Sequence, residues 1–419
     1  MEMVQKSKLI LLILIVGCSS PLPKGDLLTI DVEKAFNNPC DIFLSDFAEE
    51  IEYIPLETIR ECVIDRWLNV FATDRYIVAI AFRQYYLFDR KTGKFIREIG
   101  RYGPGPNEYG GTTSAVPFDE ERHTIRASLF DAQKGIEYDL DGNVVRSLNF
   151  PPMTKEQKYH MWWGIVPLDD KYLVTYAMNH SGNEPYKLIV FDEKGIIYSR
   201  FLNHHTYEKN PKRAGSFSLE AQVFYKWKNN VFFYENCVDT LFQVTKDEII
   251  PYYHFHLGKY NPPYSEKDNL PWGNPQPGDI SPFGDNRMRD NFFYFETINE
   301  SEKILFFSFM YGKRNPITRF QPRYFGYYDK ELYITKISKI DQMEISPVIN
   351  DLHDFAPLHP NRWSINKSGE MVAYMEAGDI EEWFEEHPDK AKKLPEHLKK
   401  LSKLTSEDNP VVVIVKLKQ

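Results

Sequence analysis

Few residues in this chain have the types and spacing to do chemistry, and none forms a complete catalytic set. Arg101, Asn107, Glu108 and Tyr109 sit together in the glycine- and proline-rich stretch Gly100–Gly111. An arginine, a carboxylate and a phenol on one loop could hold a polar ligand. The stretch lacks GxxxxGK[ST] and opens no helix, so it does not read as a phosphate cradle. Its glycines and prolines equally suit a tight chain crossing, which leaves Arg101 and Tyr109 as candidate ligand contacts. Trp162 and Trp163, within Tyr159-His160-Met161-Trp162-Trp163, and the pair Arg362-Trp363 offer surface on which a sugar ring or peptide could stack. Alternation along a strand turns only one of two successive tryptophans toward a given face.

Other chemistries find less support. His254 and His256 share a strand face, and His204-His205 lies in a loop, but neither pair has a recognisable third ligand. No metal and no cofactor is expected. Two carboxylates could converge as an acid/base pair, yet nothing marks which. Sialidase-like Ser-x-Asp-x-Gly-x-Thr-Trp boxes and GxSxG are absent, so no catalytic residue is assigned. The 419 residues carry 60 acidic against 51 basic side chains, a formal charge of -9, which argues against a nucleic-acid partner.

The N-terminus reads as an export signal. Lys6 and Lys8 precede the apolar run Leu9–Val16, too short to span a bilayer but long enough for a signal-peptide core. The run ends at Val16-Gly17-Cys18-Ser19-Ser20, and small residues before a cysteine resemble the lipobox of bacterial lipoproteins. Residues 1–17 are therefore the expected signal peptide, Cys18 the lipidation site, and 18–40 a lipidated tether. More than one acyl chain on Cys18 would hold the protein stably on a membrane. Localisation is then the cell envelope, with Ser19 fitting outer-membrane sorting and the side left open. Cys40, Cys62 and Cys237 show no CxxC or zinc spacing and read as packing residues, with a Cys40–Cys62 pair left open.

Positioning any site falls to a repeat. The chain has 26 Tyr and 29 Phe, many on strand-like segments that end in an aromatic residue followed by aspartate. Tyr86–Asp89 precedes a turn at Lys91-Thr92-Gly93 and a strand Phe95–Ile99. Ile136–Asp139, Asp141-Gly142 and Val144–Leu148 repeat the unit. Leu188–Asp192, Lys194-Gly195 and Ile196–Phe201 repeat it again, and degenerate copies lie at Thr240–Tyr253 and Phe325–Lys336. The first four copies are about 50 residues apart, the length of a four-stranded propeller blade, and two more strand candidates precede each.

A sixth set is split: Arg362–Ile365 and Met371–Met375 find their third strand, Val411–Leu417, only after a charged insert at about 379–405. Leu394, Leu398 and Leu401 give that insert helical spacing, and it reads as a solvated lid. Glu52–Leu56 has no blade of its own; antiparallel pairing with Val411–Leu417 would supply the missing outer strand and remove two open sheet edges. Residues 41–419 thus form an all-β, six-bladed β-propeller. The between-blade loops Gly100–Thr113, Pro151–Met161, Asn203–Glu220, Gly258–Asn291 and Ser338–Asn361 gather on one face, the expected ligand face.

The segments IEYIPLE (Ile51–Glu57), FDRKTGKFIREIGRYGPGPNEY (Phe88–Tyr109), YDLDGNVV (Tyr138–Val145) and DNPVVVIVKLK (Asp408–Lys418) resemble the six-bladed β-propeller lipoproteins of Gram-negative bacteria, related to NHL-repeat propellers. The resemblance implies the fold and export, and brings no catalytic residues with it. The expected function is a monomeric, membrane-anchored, non-catalytic binding module for a glycan, a peptide or a partner protein of the envelope. The alternative is a hydrolase or lyase with an acidic site at the channel.

Overall fold

A computed structural model describes residues 27–64, 68–81, 83–110, 116–129, 134–151, 164–177, 179, 181–208, 222–265, 290–315, 321–342, 344–360 and 362–419. Six antiparallel sheets follow one another along the chain. Blade one is Asn69–Ala72, Tyr76–Ala81, Gln84–Asp89 and Phe95–Glu98. Blade two runs from Phe118 to Asn149, blade three from Val166 to Leu202, blade four from Gln222 to His256 and blade five from Tyr294 to Ile337. Blade six joins Ser364–Ile365, Glu370–Met375 and Val411–Leu417 to Ala48–Pro55. The protein is the expected six-bladed propeller.

The recurrent aspartate has a local cause. Its side chain caps the turn between third and fourth strands by accepting backbone N–H bonds two to four residues ahead. Asp89 Oδ1 accepts from Thr92 N at 2.8 Å, and Asp139 Oδ1 from Asp141 N and Asn143 N at 2.9 and 2.8 Å. Asp192 Oδ1 accepts from Lys194 N and Ile196 N at 3.0 and 2.9 Å. Asp329 Oδ1 does the same for Glu331 N and Leu332 N at 2.9 and 2.8 Å. Blade four uses Thr245 Oγ1 instead, which explains why its copy looks degenerate. The aromatic residue before each aspartate is buried between blades: Phe88, Tyr138, Phe191 and Tyr328 are at most 2% exposed.

The ring closes as expected. Ile51, Tyr53 and Pro55 register antiparallel with Val415, Val413 and Val411, so the last blade is held by a backbone ladder. Arg90 of blade one fastens the next seam with two bonds to Glu370 of blade six, at 2.8 and 2.9 Å. Gly93, at φ +68°, lies against the closing strand so tightly that a β-carbon would overlap the Pro55 carbonyl oxygen.

Residues 28–40, expected to be part of a tether, are folded onto the propeller. Leu28–Asp31 adds to blade four as a fifth, outermost strand, parallel to Ile249–His256. A short helix, Val32–Phe36, follows, capped by the Asp31 side chain on Lys34 N at 3.0 Å. Ile30 and Val32 are fully buried, and the Phe36 ring packs edge-on against Phe293. Residues 28–40 thus belong to the domain because they cover the edge of blade four and the blade-five strand beside it. Residues 1–26, with Cys18, lie outside the described residues.

The helical insert is less solvated than expected. Its helices Ala377–Glu386, Pro388–Ala391 and Glu396–Lys399 bury Ile380, Trp383 and Leu398, with Leu394 and Leu401 between and after them. They pack on a hairpin, Val348–Asn350 with Phe355–Leu358, inside the long Ser338–Asn361 connection, where Trp383 meets Phe355 edge-on at 4.6 Å. Among the described residues Cys40, Cys62 and Cys237 form no disulfide.

In such a meander the between-blade connections and the second-to-third-strand connections share one face, here called upper. The first-to-second and third-to-fourth turns share the other, lower face.

Candidate functional site

The upper rim of blades five and six gathers ion pairs, raised carboxyls and several unpaired buried polar atoms. Glu296 sits on the innermost strand of blade five at a bulge, where pairing skips from Phe295–Phe309 to Thr297–Ser308. Bulges re-aim a side chain and concentrate near functional sites. The Glu296 carboxylate accepts from Arg323 Nε and Nη2 at 2.9 and 3.3 Å, across the face of the blade. Arg323 lines a shallow surface depression, with no enclosed cavity beneath it, together with Ser308, Tyr324, Phe325, Ile345, Ser346 and Pro360.

Ser308 Oγ, in this depression, is buried with no hydrogen-bond partner among the described residues, and so are Gln321 Oε1, Glu344 Oε2 and Trp363 Nε1 on segments next to its lining residues in the chain or in space. Buried polar atoms are nearly always paired, so a cluster of unpaired ones marks a place that water or a ligand completes. Glu344 also holds a left-handed backbone at φ +62°, and its other oxygen accepts from Asn315 Nδ2 at 2.6 Å. A non-glycine residue in that conformation is strained, and such strain gathers at functional positions.

Above blade six the charge is mixed. The Tyr374 phenol is pushed up by burial and by Glu376, against the pull of Arg362 and Arg323. Glu376 is raised by burial and then by Asp379; Asp379 is raised by burial, with His359 opposing. His359 Nε2 in turn meets Asp341 at 2.9 Å. Two neighbouring carboxyls shifted upward by burial, one of them facing an imidazole, are groups of the kind that take part in proton transfer.

The residues singled out in the sequence divide between two places. Arg362 and Trp363 belong to this rim, although the Trp363 ring is only 6% exposed and packs edge-on against Phe325. It is a buried donor, not the stacking platform its sequence suggests. Tyr109 is fully buried, stacked on Tyr85 at 4.1 Å, with its hydroxyl on Arg83 O at 3.1 Å. It holds the blade crossing, and no part of its ring is open to a ligand. Arg101 stands near it with an 80% exposed side chain, 3.6 Å from Glu108. Trp162 and Trp163 lie outside the described residues. His254 and His256 face Asp239 and Asp31 at 3.5 and 3.2 Å.

A second buried polar group lies on the upper face between blades three and four. Glu235 receives the Tyr176 and Tyr264 hydroxyls at 2.6 and 3.1 Å and pairs with Lys187 at 2.6 Å. Burial, then the Glu235 charge, pushes the Tyr176 phenol well above its usual range. This group stitches two blades together, Tyr176 and Lys187 of blade three meeting Glu235 of blade four. Sequence reasoning missed Glu296, Ser308, Arg323, Glu344, Glu376 and Asp379. Only the left-handed turn around Glu344 left any local trace.

Fold and rim together define a six-bladed propeller with a polar site on the loop-bearing face. The chain belongs to a family described as a domain of unknown function (DUF4934), whose model matches residues 27–416. Its fold is shared with a crystal structure from Bacteroides fragilis of a protein provisionally described as exported. That match has 18% identity and a TM-score of 0.63, and covers 94% of this chain and 99% of the other. A member of the DUF4221 family from Bacteroides vulgatus aligns at 10% identity and a TM-score of 0.47 over 88% of this chain and 97% of its own, too distant to argue from. No curated protein matches.

Proposed function

We propose that the protein is an exported, lipid-anchored propeller that binds a hydroxyl- or amide-rich ligand, a glycan strand or a peptide, at the upper rim of blades five and six. The observation that carries this reading is the unpaired, buried Ser308 Oγ in the depression lined by Arg323, with further unpaired polar atoms on Gln321, Glu344 and Trp363 of the neighbouring segments. A hydroxyl or amide on the ligand would pair with Ser308 and Arg323, and the unpaired Oγ gains a bond when it arrives. Export and anchoring rest on Leu9–Val16 and Cys18, and the fold shared with a protein described as exported is consistent with them.

Screening the mature protein against glycans and peptides, with binding and product release scored together, tests the reading. Binding without turnover is expected, with Ser308→Ala weakening it several-fold and Arg323→Ala by roughly 10-fold or more, the loss of one charged hydrogen bond. If neither variant changes the affinity of a ligand found this way, the rim is not the site. The second reading, a hydrolase or lyase, is favoured by the raised carboxyls of Glu376 and Asp379. It predicts turnover that Glu376→Gln or Asp379→Asn abolishes while binding persists.

A further inference from the structure

The lower face carries apolar side chains that the fold does not need to expose. In the third-to-fourth-strand turn of blade five, Leu332, Tyr333 and Ile334 are 66%, 69% and 40% exposed. The Asp329 cap fixes this turn, and Tyr333 occupies its left-handed position at φ +57°, four residues after the aspartate. Blade one places Gly93 at the same offset from Asp89, at φ +68°. A side chain is disfavoured in that conformation, and here a large aromatic one stands mostly in solvent. The corresponding turn of blade three exposes Ile196 and, just beyond it, Tyr198 on the same face.

The chain enters the domain beside this turn. Leu28–Asp31 runs parallel to the outer strand of blade four, which rises from the lower face to the upper, so the chain arrives from the lower side. That strand also packs beside Ile334–Ile337 of blade five. Leu28 lies only ten positions after Cys18, a reach of about 35 Å even when fully extended. Lipid on Cys18 would therefore hold the lower edge of blades four and five close to the bilayer surface.

We propose that this lower edge docks on the bilayer, with Leu332 and Tyr333 seated at the boundary between headgroups and acyl chains. Aromatic side chains favour that boundary because their rings are amphipathic. The inference rests on the Cys18 anchor, and it turns the upper rim of blades five and six away from the membrane toward its ligand.

Hydroxyl-radical footprinting of the full chain, processed and lipidated, on phosphatidylethanolamine–phosphatidylglycerol vesicles tests the proposal. The Cys18→Ala protein, mixed with the same vesicles, is the reference. The expected result is flotation of the lipidated protein with several-fold protection of Leu332 and Tyr333, and no change at Tyr374 or His359. A second variant, Tyr333→Gly, should fold with equal or greater thermal stability yet lose protection at Leu332; a merely structural tyrosine would instead lower stability. Flotation without protection overturns the docking while leaving the anchor intact. Failure of the wild type to float, matching Cys18→Ala, overturns the anchor and the docking with it.

Discussion

Replacing Arg90 with methionine should loosen the seam between the first and last blades by about 2 kcal/mol. Arg90 makes two bonds to Glu370, at 2.8 and 2.9 Å, and the two side chains are only 14% and 18% exposed. Removing one partner of a fully buried pair costs about 3–5 kcal/mol. This pair is partly wet, and Glu370 keeps a bond from Asn366 Nδ2 at 2.7 Å, so the lower figure applies. With an unfolding entropy of roughly 2.1 cal/mol/K per residue, 2 kcal/mol over a domain of this size lowers Tm by only about 2–3 °C. Urea unfolding is therefore the better assay, run as a double-mutant cycle with Glu370→Gln; a coupling of about 1–2 kcal/mol is expected at pH 7. Burial raises the Glu370 carboxyl, but the bonds from Arg90 and Asn366 and the Arg90 charge outweigh it and hold it below its usual 4.5. A carboxyl depressed on folding contributes above its unfolded pKa and loses that contribution as pH falls through the folded one. The coupling should accordingly persist from pH 7 to 5 and fade below 4. A coupling under about 0.5 kcal/mol at pH 7 would show that the pair adds little to this seam, and one unchanged at pH 3 that it does not depend on the Glu370 charge.

Two further outcomes follow from the lower face. Gly93→Ala should cost upward of about 2 kcal/mol, because the left-handed backbone is penalised and the new carbon meets the Pro55 carbonyl of the closing strand. Gly142→Ala, at φ +86° with only ordinary contacts around it, should pay about 1–2 kcal/mol for the backbone alone; equal urea midpoints for the two variants would contradict the close approach. Burial pushes the Glu120 carboxyl up to about 7, although it accepts the Lys367 N–H of blade six at 2.9 Å. An acid raised on folding contributes below its unfolded value near 4.5 and loses that contribution as pH climbs through 7. Glu120→Gln should therefore gain on the wild type by roughly 2–3 kcal/mol between pH 4 and pH 8, and a difference curve that stays flat would refute the shift.

The blades were legible in the sequence because their signals are local. An aspartate caps a turn two to four residues away, and the aromatic residue before it needs only a neighbouring blade to cover it. Pro55 and the apolar run Val411–Val415 mark an outer and an inner strand wherever they pair, so even the closure across 350 positions could be read, since only one blade lacked a strand. Other features have no local signature. Leu28–Asp31 is four residues long, too short to show a period, and its parallel pairing is decided by the open edge it finds on blade four. The buried Tyr109 and Trp363 look like ligand contacts in sequence because an aromatic residue in a loop has the same spelling whether its ring is covered or free. The rim drew Glu296, Ser308, Arg323, Glu344 and Glu376 from five separate segments. Which of them share a face depends on a one-residue bulge and on how the fifth and sixth blades pack, which are long-range matters that no window of the chain contains.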